Sequence, residues 1–309
     1  VGKRKVNMAH RIKIGVAGWS YPDWKAVVYP KKAGKNFHPL PYLAEVFDII
    51  EIDTTFYRIP DPITVGEWAS KTSDFKDFKF SVKLFEGFTH TRKASLIEER
   101  NFKRAVDPLL KMDKFFALLV QLPWSFRNIP ENRRVLDDIL KRFSDYPKAV
   151  ELRHSSWVKV DVLSFLRERN ASFCNIDQPV FAHSTGMTAA AGEKISYFRF
   201  HGRNAASWFK EGVGRDERYN YLYSTEELAP WIDAVKDAST VSNETGVIFN
   251  NHFRGQAVVN AMEFLYILKK KKIKVFDELL PYYPQLEEIT SKPVQRSLFA
   301  ADPPSLYEG

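Results

Sequence analysis

The sequence predicts one eight-stranded (β/α) barrel of the TIM type, a single domain with a short C-terminal extension. Three observations predict it. Short β-rich runs alternate with segments of helical spacing from residue 12 to about residue 270. Eight such runs can be read, enough to close a barrel. Each of seven runs begins apolar and then carries charged or amide residues at its C-terminal end, where a buried parallel strand should be nearly continuous in Val, Ile and Leu.

The strands are expected at Ile12–Gly18, Phe47–Asp53, Lys79–Leu84, Phe116–Leu122, Ala149–Arg153, Ser172–Ile176, Tyr197–His201 and Gly246–Asn250. Between them, helical spacing marks residues 62–72, with Pro62 near the first turn, and Leu96–Met112, Glu131–Phe143, Val158–Asn170 and Thr225–Ala238. Ser224 to Glu227 (Ser-Thr-Glu-Glu) fits a capping box with Ser224 as N-cap. Gln178 to Lys194 is small, polar and Gly-containing, so an irregular crossover is expected there. Residues 275–290 look like a final helix interrupted by Pro281 and Pro284. A doubly wound open sheet is the main competitor. Against it, Gly15-Val16-Ala17-Gly18-Trp19 runs into bulky aromatics and is no Gly-rich phosphate fingerprint. The expected organisation is a basic N-terminal arm (1–11), the barrel (12–290) and a flexible tail (291–309), without internal repeats.

At 309 residues the chain can bury a sizeable core without staples. Its single cysteine, Cys174, excludes an internal disulfide. No apolar run approaches the ~20 residues that span a bilayer, and Val1 to Lys13 lacks the apolar stretch of a signal peptide. A cytoplasmic protein without membrane partners is the expectation. The net charge of +8 favours anionic partners. Part of it is local, in Lys3–Lys5 and in Lys269–Lys272 with Lys274. These runs are either a solvated arm and helix end or a nucleic-acid contact surface.

Side chains two apart on a strand share a face, so Glu51 pairs with Asp53, Glu151 with Arg153, and Arg199 with His201 and Arg203. In a barrel, the inward face at the strand C-termini is where active sites lie. The mouth inventory is four cations (Lys83, Arg153, Arg199, Arg203) and four carboxylates (Glu51, Asp53, Glu151, Asp177), joined by Gln121, Asn250, Asn251 and His252. Arg offers a planar fork to phosphate or carboxylate. His201 is the natural proton carrier, with Glu151 ahead of Asp177 or Glu51 as its carboxylate partner. Trp19, Tyr21, Trp24 and Tyr57, with Trp124, Trp157 and Trp208, follow strands and are expected either to stack on a ligand or to cap the core. No cofactor is predicted. A divalent metal on His201, His252, Glu151, Asp177 and Glu51 is the alternative, opposed by the neighbouring cations and the absence of a His-x-x-x-His or Cys cluster.

Gly18-Trp19-Ser20-Tyr21-Pro22-Asp23-Trp24, Glu51-Ile52-Asp53-Thr54-Thr55-Phe56-Tyr57-Arg58, Glu151-Leu152-Arg153-His154-Ser155-Ser156-Trp157, His201-Gly202-Arg203 and Phe249-Asn250-Asn251-His252 together resemble the YecE-like family, domain of unknown function 72. The likeness runs in order from about residue 12 to 268. It implies a TIM-like barrel and supplies no reaction. The chain departs from the family's usual pattern at Asp53 (Asn), at Pro123-Trp124 (Pro-Pro) and at Val28-Tyr29-Pro30 (Phe-Tyr-Pro). Asp53 adds a negative charge to the mouth. The family's barrel is similar in outline to those of endonuclease IV and xylose isomerase, a likeness of fold alone.

Three function classes follow. The first is an enzyme, hydrolase or lyase, acting on an anionic substrate (a phosphate-bearing small molecule, nucleotide or nucleic acid) by general acid/base chemistry at the mouth. The second is a carbohydrate-active hydrolase with paired carboxylates, Glu51 with Glu151 or Asp177. The third is a non-catalytic nucleic-acid or sliding-clamp-binding protein, since Gln295-Arg296-Ser297-Leu298-Phe299 is similar to the start of a clamp-binding peptide.

Overall fold

In a computed structural model, which describes residues 12–208, 210 and 215–292, eight parallel strands close on themselves in sequence order, β8 pairing with β1. They are β1 (Ile12–Ala17), β2 (Ile49–Ile52), β3 (Lys79–Lys83), β4 (Phe115–Gln121), β5 (Lys148–Glu151), β6 (Ala171–Asp177), β7 (Ile195–Phe200) and β8 (Glu244–Phe249). Every strand boundary falls within two residues of the run expected from the sequence, and β4, β5, β6, β7 and β8 begin one or two residues early. The helices are α1 (Pro39–Ala44), α2 (Pro62–Lys71), α3 (Glu86–Thr89), α4 (Leu96–Lys111), α5 (Pro130–Arg142), α6 (Val160–Arg167), α7 (Ala205–Trp208), α8 (Thr225–Val241) and α9 (Gln256–Lys269).

The strands are buried on both faces, as a helix-covered parallel sheet requires. Ile49, Phe116, Leu119, Cys174, Ile176 and Ile248 fill the barrel, while Val16, Ile50, Val82, Val120 and Phe200 belong to the larger core beneath the helices. Local signals set the helix starts. Asp61 accepts the Ile63 amide before α2, and capping boxes form at Ser95–Glu98 before α4 and, as expected, at Ser224–Glu227 before α8.

Two stretches depart from helical cover. After β6, residues 178–194 form an extended strap. The outward Asn175 pins it, donating to Ala190 O (2.9 Å) and accepting from Thr188 Oγ1 (2.9 Å) and the Ala190 amide (2.8 Å). Residues 275–290 are not the interrupted helix that was expected. They form two 3₁₀ turns, Asp277–Leu279 and Pro284–Glu288, because Pro281 and Pro284 withhold amides that a continuous helix needs. The helix that packs between β1 and β8 is α9. It returns antiparallel to β8, so its basic end at Lys269 lies at the opposite end of the barrel from the mouth. The arm (1–11) and the tail from 293, including Gln295–Phe299, lie outside the described residues. Among those described, no helix is long and apolar enough to cross a membrane.

Candidate functional site

The parallel strands bring their C-terminal ends to one mouth, and alternation along each strand decides which polar groups enter it. Arg199 on β7 is the hub and is 1% exposed. One nitrogen, Nη2, donates to Glu51 Oε1 on β2 (2.6 Å) and lies 4.0 Å from Asp53 Oδ1. The other, Nη1, donates to Glu151 Oε2 on β5 and to Gln121 Oε1 on β4 (3.3 Å). Below the hub, Tyr197 Oη donates to Glu51 Oε2 (2.7 Å) and sits 2.7 Å from Ser81 Oγ. Arg153 grips the second oxygen of Glu151 through Nε (2.7 Å) and Nη2 (2.6 Å). Asn250 Nδ2 lies 3.0 Å from His201 Nδ1, and His201 Nε2 lies 3.3 Å from Glu151 Oε1 and 3.4 Å from both Arg199 Nη1 and Arg153 Nη2.

Burial dominates the electrostatics. It opposes ionisation of Glu151, but Arg199 and Arg153 hold that carboxyl well below the usual range. Burial pushes Glu51 up to about 7 over the pull of Arg199, and Asp53 adds to the rise. Burial lowers His201 to about 3, with Glu151 pulling back and Arg199 and Arg153 deepening the fall, so the imidazole is neutral. Arg199 stays charged against its burial because Glu151 and Glu51 flank it.

Above this buried layer stand groups nearer the opening. The Arg153 side chain is 14% exposed, and its Nη1 has no partner among the described residues. Lys83 lies 4.3 Å over the Phe56 ring. The Asp53 side chain is 23% exposed. Asp53 occupies the N-cap position of the Thr54–Phe56 turn without capping it, and its buried Oδ1 has no hydrogen-bond partner among the described residues.

The sequence matches the family described as "Protein of unknown function DUF72" over residues 13–284. The chain belongs to this family. A similar curated protein is the UPF0759 protein YunF of Bacillus subtilis (strain 168), 29% identical over 272 residues, covering 83% of this chain and 94% of the relative. The UPF0759 protein YecE of Escherichia coli (strain K12) is 28% identical over 147 residues, 46% of this chain and 48% of the relative. Among solved structures, a DUF72 family protein (TM1631) from Thermotoga maritima aligns with a TM-score of 0.73 at 34% identity, covering 84% of this chain and 100% of that one. Another, EF0366 from Enterococcus faecalis, aligns at 0.72 and 30% identity, covering 84% of this chain and 95% of that one.

In this DUF72 barrel, several groups expected in the mouth lie elsewhere. Asp177 follows Asn175 on the outer face of β6. Its carboxylate accepts from Arg203 Nε (2.9 Å) and Nη2 (2.7 Å), Tyr223 Oη (2.7 Å) and Trp231 Nε1 (2.9 Å), behind the barrel wall. Arg203 leaves the inward row because Gly202 turns the chain at φ +85°; a Cβ there would meet Tyr221 at 2.8 Å. Asn251 also faces outward, donating to Tyr221 O and Asn260 Oδ1. Trp24 is fully buried, with its indole N–H on His252 O (2.7 Å), and Trp157 is buried with its N–H on Phe126 O (2.7 Å). Both are core residues and offer no face to a ligand. Tyr21 stacks on His252 (4.3 Å between centroids, 9°) and with Tyr219 closes the β8–β1 side. Trp19 meets Trp68 edge-on, Trp124 stands near His154, and Tyr57 is exposed.

Trp208 on α7, one of the aromatics offered by the sequence, packs edge-on over His201 (6.3 Å) and near Arg153 (6.0 Å). Three groups escaped the sequence reading. Tyr197 and Ser81 lie two residues before Arg199 and Lys83, and that alternation would have found them. His90 follows α3. Burial, then Lys83 and Arg153, lower its pKa to about 4, so it too is neutral. His90 does not sit in a strand, so no period announces it. Among the described residues, no three His, Cys, Asp or Glu side chains group as a metal site.

Proposed function

We propose that the barrel mouth is the active site of an enzyme that grips a small substrate by one anionic group, carboxylate or phosphate, and moves a proton on it. One observation carries this reading: the division of charge between the two layers. The two terminal nitrogens of Arg199 are spent on Glu51 and Glu151, whereas at the mouth Arg153 Nη1 and Lys83 Nζ have no acceptor, and Asp53 Oδ1 no donor, among the described residues. Arg153 is already oriented by Glu151, so its free Nη1 edge is presented at little further entropic cost.

The roles shift accordingly. His201 and Glu151 were assigned proton transfer from sequence. Both are 0% exposed and hydrogen-bonded to each other, Arg153 and Asn250. They are positioning residues that hold Arg153. Asp53, its side chain 23% exposed and its buried Oδ1 without a hydrogen-bond donor among the described residues, is the proton acceptor, and neutral His90 is the second carrier.

The other classes lose support. Glu51 and Glu151 each bond one nitrogen of a single guanidinium and are sealed from solvent, so they are not free to flank a glycosidic bond. A polymeric phosphate would need the four cations counted from sequence. Arg199 is neutralised, Arg203 faces Asp177 and Glu227, and the Lys269–Lys274 run lies at the far end.

Titration calorimetry with oxalate and with inorganic phosphate tests the reading. Charge-assisted hydrogen bonds are worth about 1.5–3 kcal/mol, so Arg153→Ala should weaken binding roughly tenfold to a hundredfold. Lys272→Ala should leave it unchanged. Equal losses in both variants would contradict the site.

A further inference from the structure

Among the described residues four lysines are buried: Lys13, Lys83, Lys114 and Lys148. Three stand at the N-terminal ends of strands, and each ammonium donates to backbone carbonyls. Lys13 reaches Asp77 O (2.6 Å), Lys114 reaches Phe75 O (2.6 Å), and Lys148 reaches Phe143 O (3.1 Å) and Tyr146 O (2.9 Å). Lys83 stands alone at the mouth end. Its Nζ has no hydrogen-bond acceptor and no carboxylate at ion-pairing distance among the described residues, only the face of Phe56. Lys83 is 9% exposed and no group among the described residues satisfies its ammonium, so its partner has to come from the mouth, as water or as a ligand.

Thr55 Oγ1 donates to Lys83 O (2.6 Å), fixing the strand end from which the side chain rises. On the adjacent strand end, Asp53 Oδ1 is an oxygen without a hydrogen-bond partner among the described residues. Burial lowers the pKa of the Lys83 ammonium; Asp53 pulls it back and Arg199 adds to the fall. A lysine desolvated beside another cation is the usual form of an amine nucleophile.

We propose that Lys83 is a covalent nucleophile, whose amine forms an imine with the carbonyl carbon of a small substrate anchored by its anionic group on Arg153. This rests on the anion site proposed above and narrows its ligand to aldehydes or ketones that carry a nearby carboxylate or phosphate. The step balances without a redox partner. The Lys83 ammonium first gives a proton, through water, to the Asp53 carboxylate. The freed amine lone pair attacks the carbonyl carbon, and the C–O π pair moves to oxygen, which takes a proton from the nitrogen to give a carbinolamine. Protonated Asp53 returns its proton to the hydroxyl, which leaves as water while the nitrogen lone pair forms the C=N bond of a protonated imine.

Glyoxylate is the probe, with sodium cyanoborohydride to reduce any imine to a stable secondary amine, read by intact mass and peptide mapping. The expected result is labelling of Lys83 ahead of every exposed lysine, blocked by oxalate, slowed by Arg153→Ala and lost in Lys83→Met. Lys83→Arg guards against a folding artefact: it keeps the charge, so it should retain oxalate binding while losing the label. Oxalate binding that depends on Arg153, with label only on exposed lysines, overturns the imine and leaves the anion site standing. Labelling of Lys83 that neither oxalate nor Arg153→Ala alters keeps the nucleophile and overturns the anion site.

Discussion

The two ends of the barrel treat buried charge differently. At the N-terminal end, Lys13, Lys114 and Lys148 each donate to carbonyls of neighbouring loops, and Lys148, 0% exposed, donates to two. Among the described residues at the C-terminal end, Glu51, Glu151 and the two terminal nitrogens of Arg199 bond one another and leave Arg199 Nε as the deep layer's unpartnered donor, while in the layer above the whole Lys83 ammonium lacks an acceptor. Burial lowers the pKa of Lys148, to about 8, just as it lowers that of Lys83. Desolvation therefore does not distinguish the two ends; the supply of partners does. A capped charge is part of the scaffold, and an uncapped one at a mouth is available to a ligand.

The largest effect is expected where the deep layer is broken. Arg199→Met strands two buried carboxylates, and breaking such a pair costs about 3–5 kcal/mol. Denaturant melts should show that loss, and a drop no larger than that of an exposed arginine variant would mean the hub is not structural. Next come the lysines. Lys148→Met removes the donor of two buried carbonyls and should cost about 1–3 kcal/mol. Lys83→Met orphans no acceptor, so its stability should be unchanged or raised. Similar destabilisation of both variants would erase the contrast between the ends.

The pH response sharpens it further. Glu51, raised to about 7, keeps its proton in the folded state where the unfolded chain has lost it, so its contribution to stability falls as pH rises from about 4.5 to 7. His201, lowered to about 3, acts oppositely: the unfolded chain takes up a proton below about 6.5 and the folded one does not, so its contribution falls as pH drops. The two partly cancel between about 4.5 and 6.5. Unfolding midpoints of Glu51→Gln across that window should therefore rise more steeply with pH than those of the parent, and an unaltered slope would contradict the burial assigned to Glu51. The smallest effect belongs to Tyr57→Ala, 54% exposed at the rim, which should change stability by less than about 0.5 kcal/mol.

Much of this was legible in the sequence, for a physical reason. Closed parallel strands give polar residues a place only at their ends, so Glu51, Lys83, Gln121, Glu151, Arg153, Arg199, His201 and Asn250 betray both the barrel and its mouth. The errors came where strand alternation was not followed or had ended. Asp177 is one residue out of phase with the inward Cys174 and Ile176, and Asn251 is out of phase with Asn250. Arg203 keeps the phase by number, but Gly202 has already turned the chain. Which tryptophans are core could not be read from order along the chain, because Trp24 and Trp208 both follow strands and only packing separates them.

The most direct test sets the two ends against each other in one assay. Oxalate affinity is measured by calorimetry on Lys83→Met and Lys148→Met, both checked for folding. Binding is expected to fall about tenfold or more in Lys83→Met, the loss of one charge-assisted contact, and to be retained in Lys148→Met. Equal affinities in the two variants would contradict it.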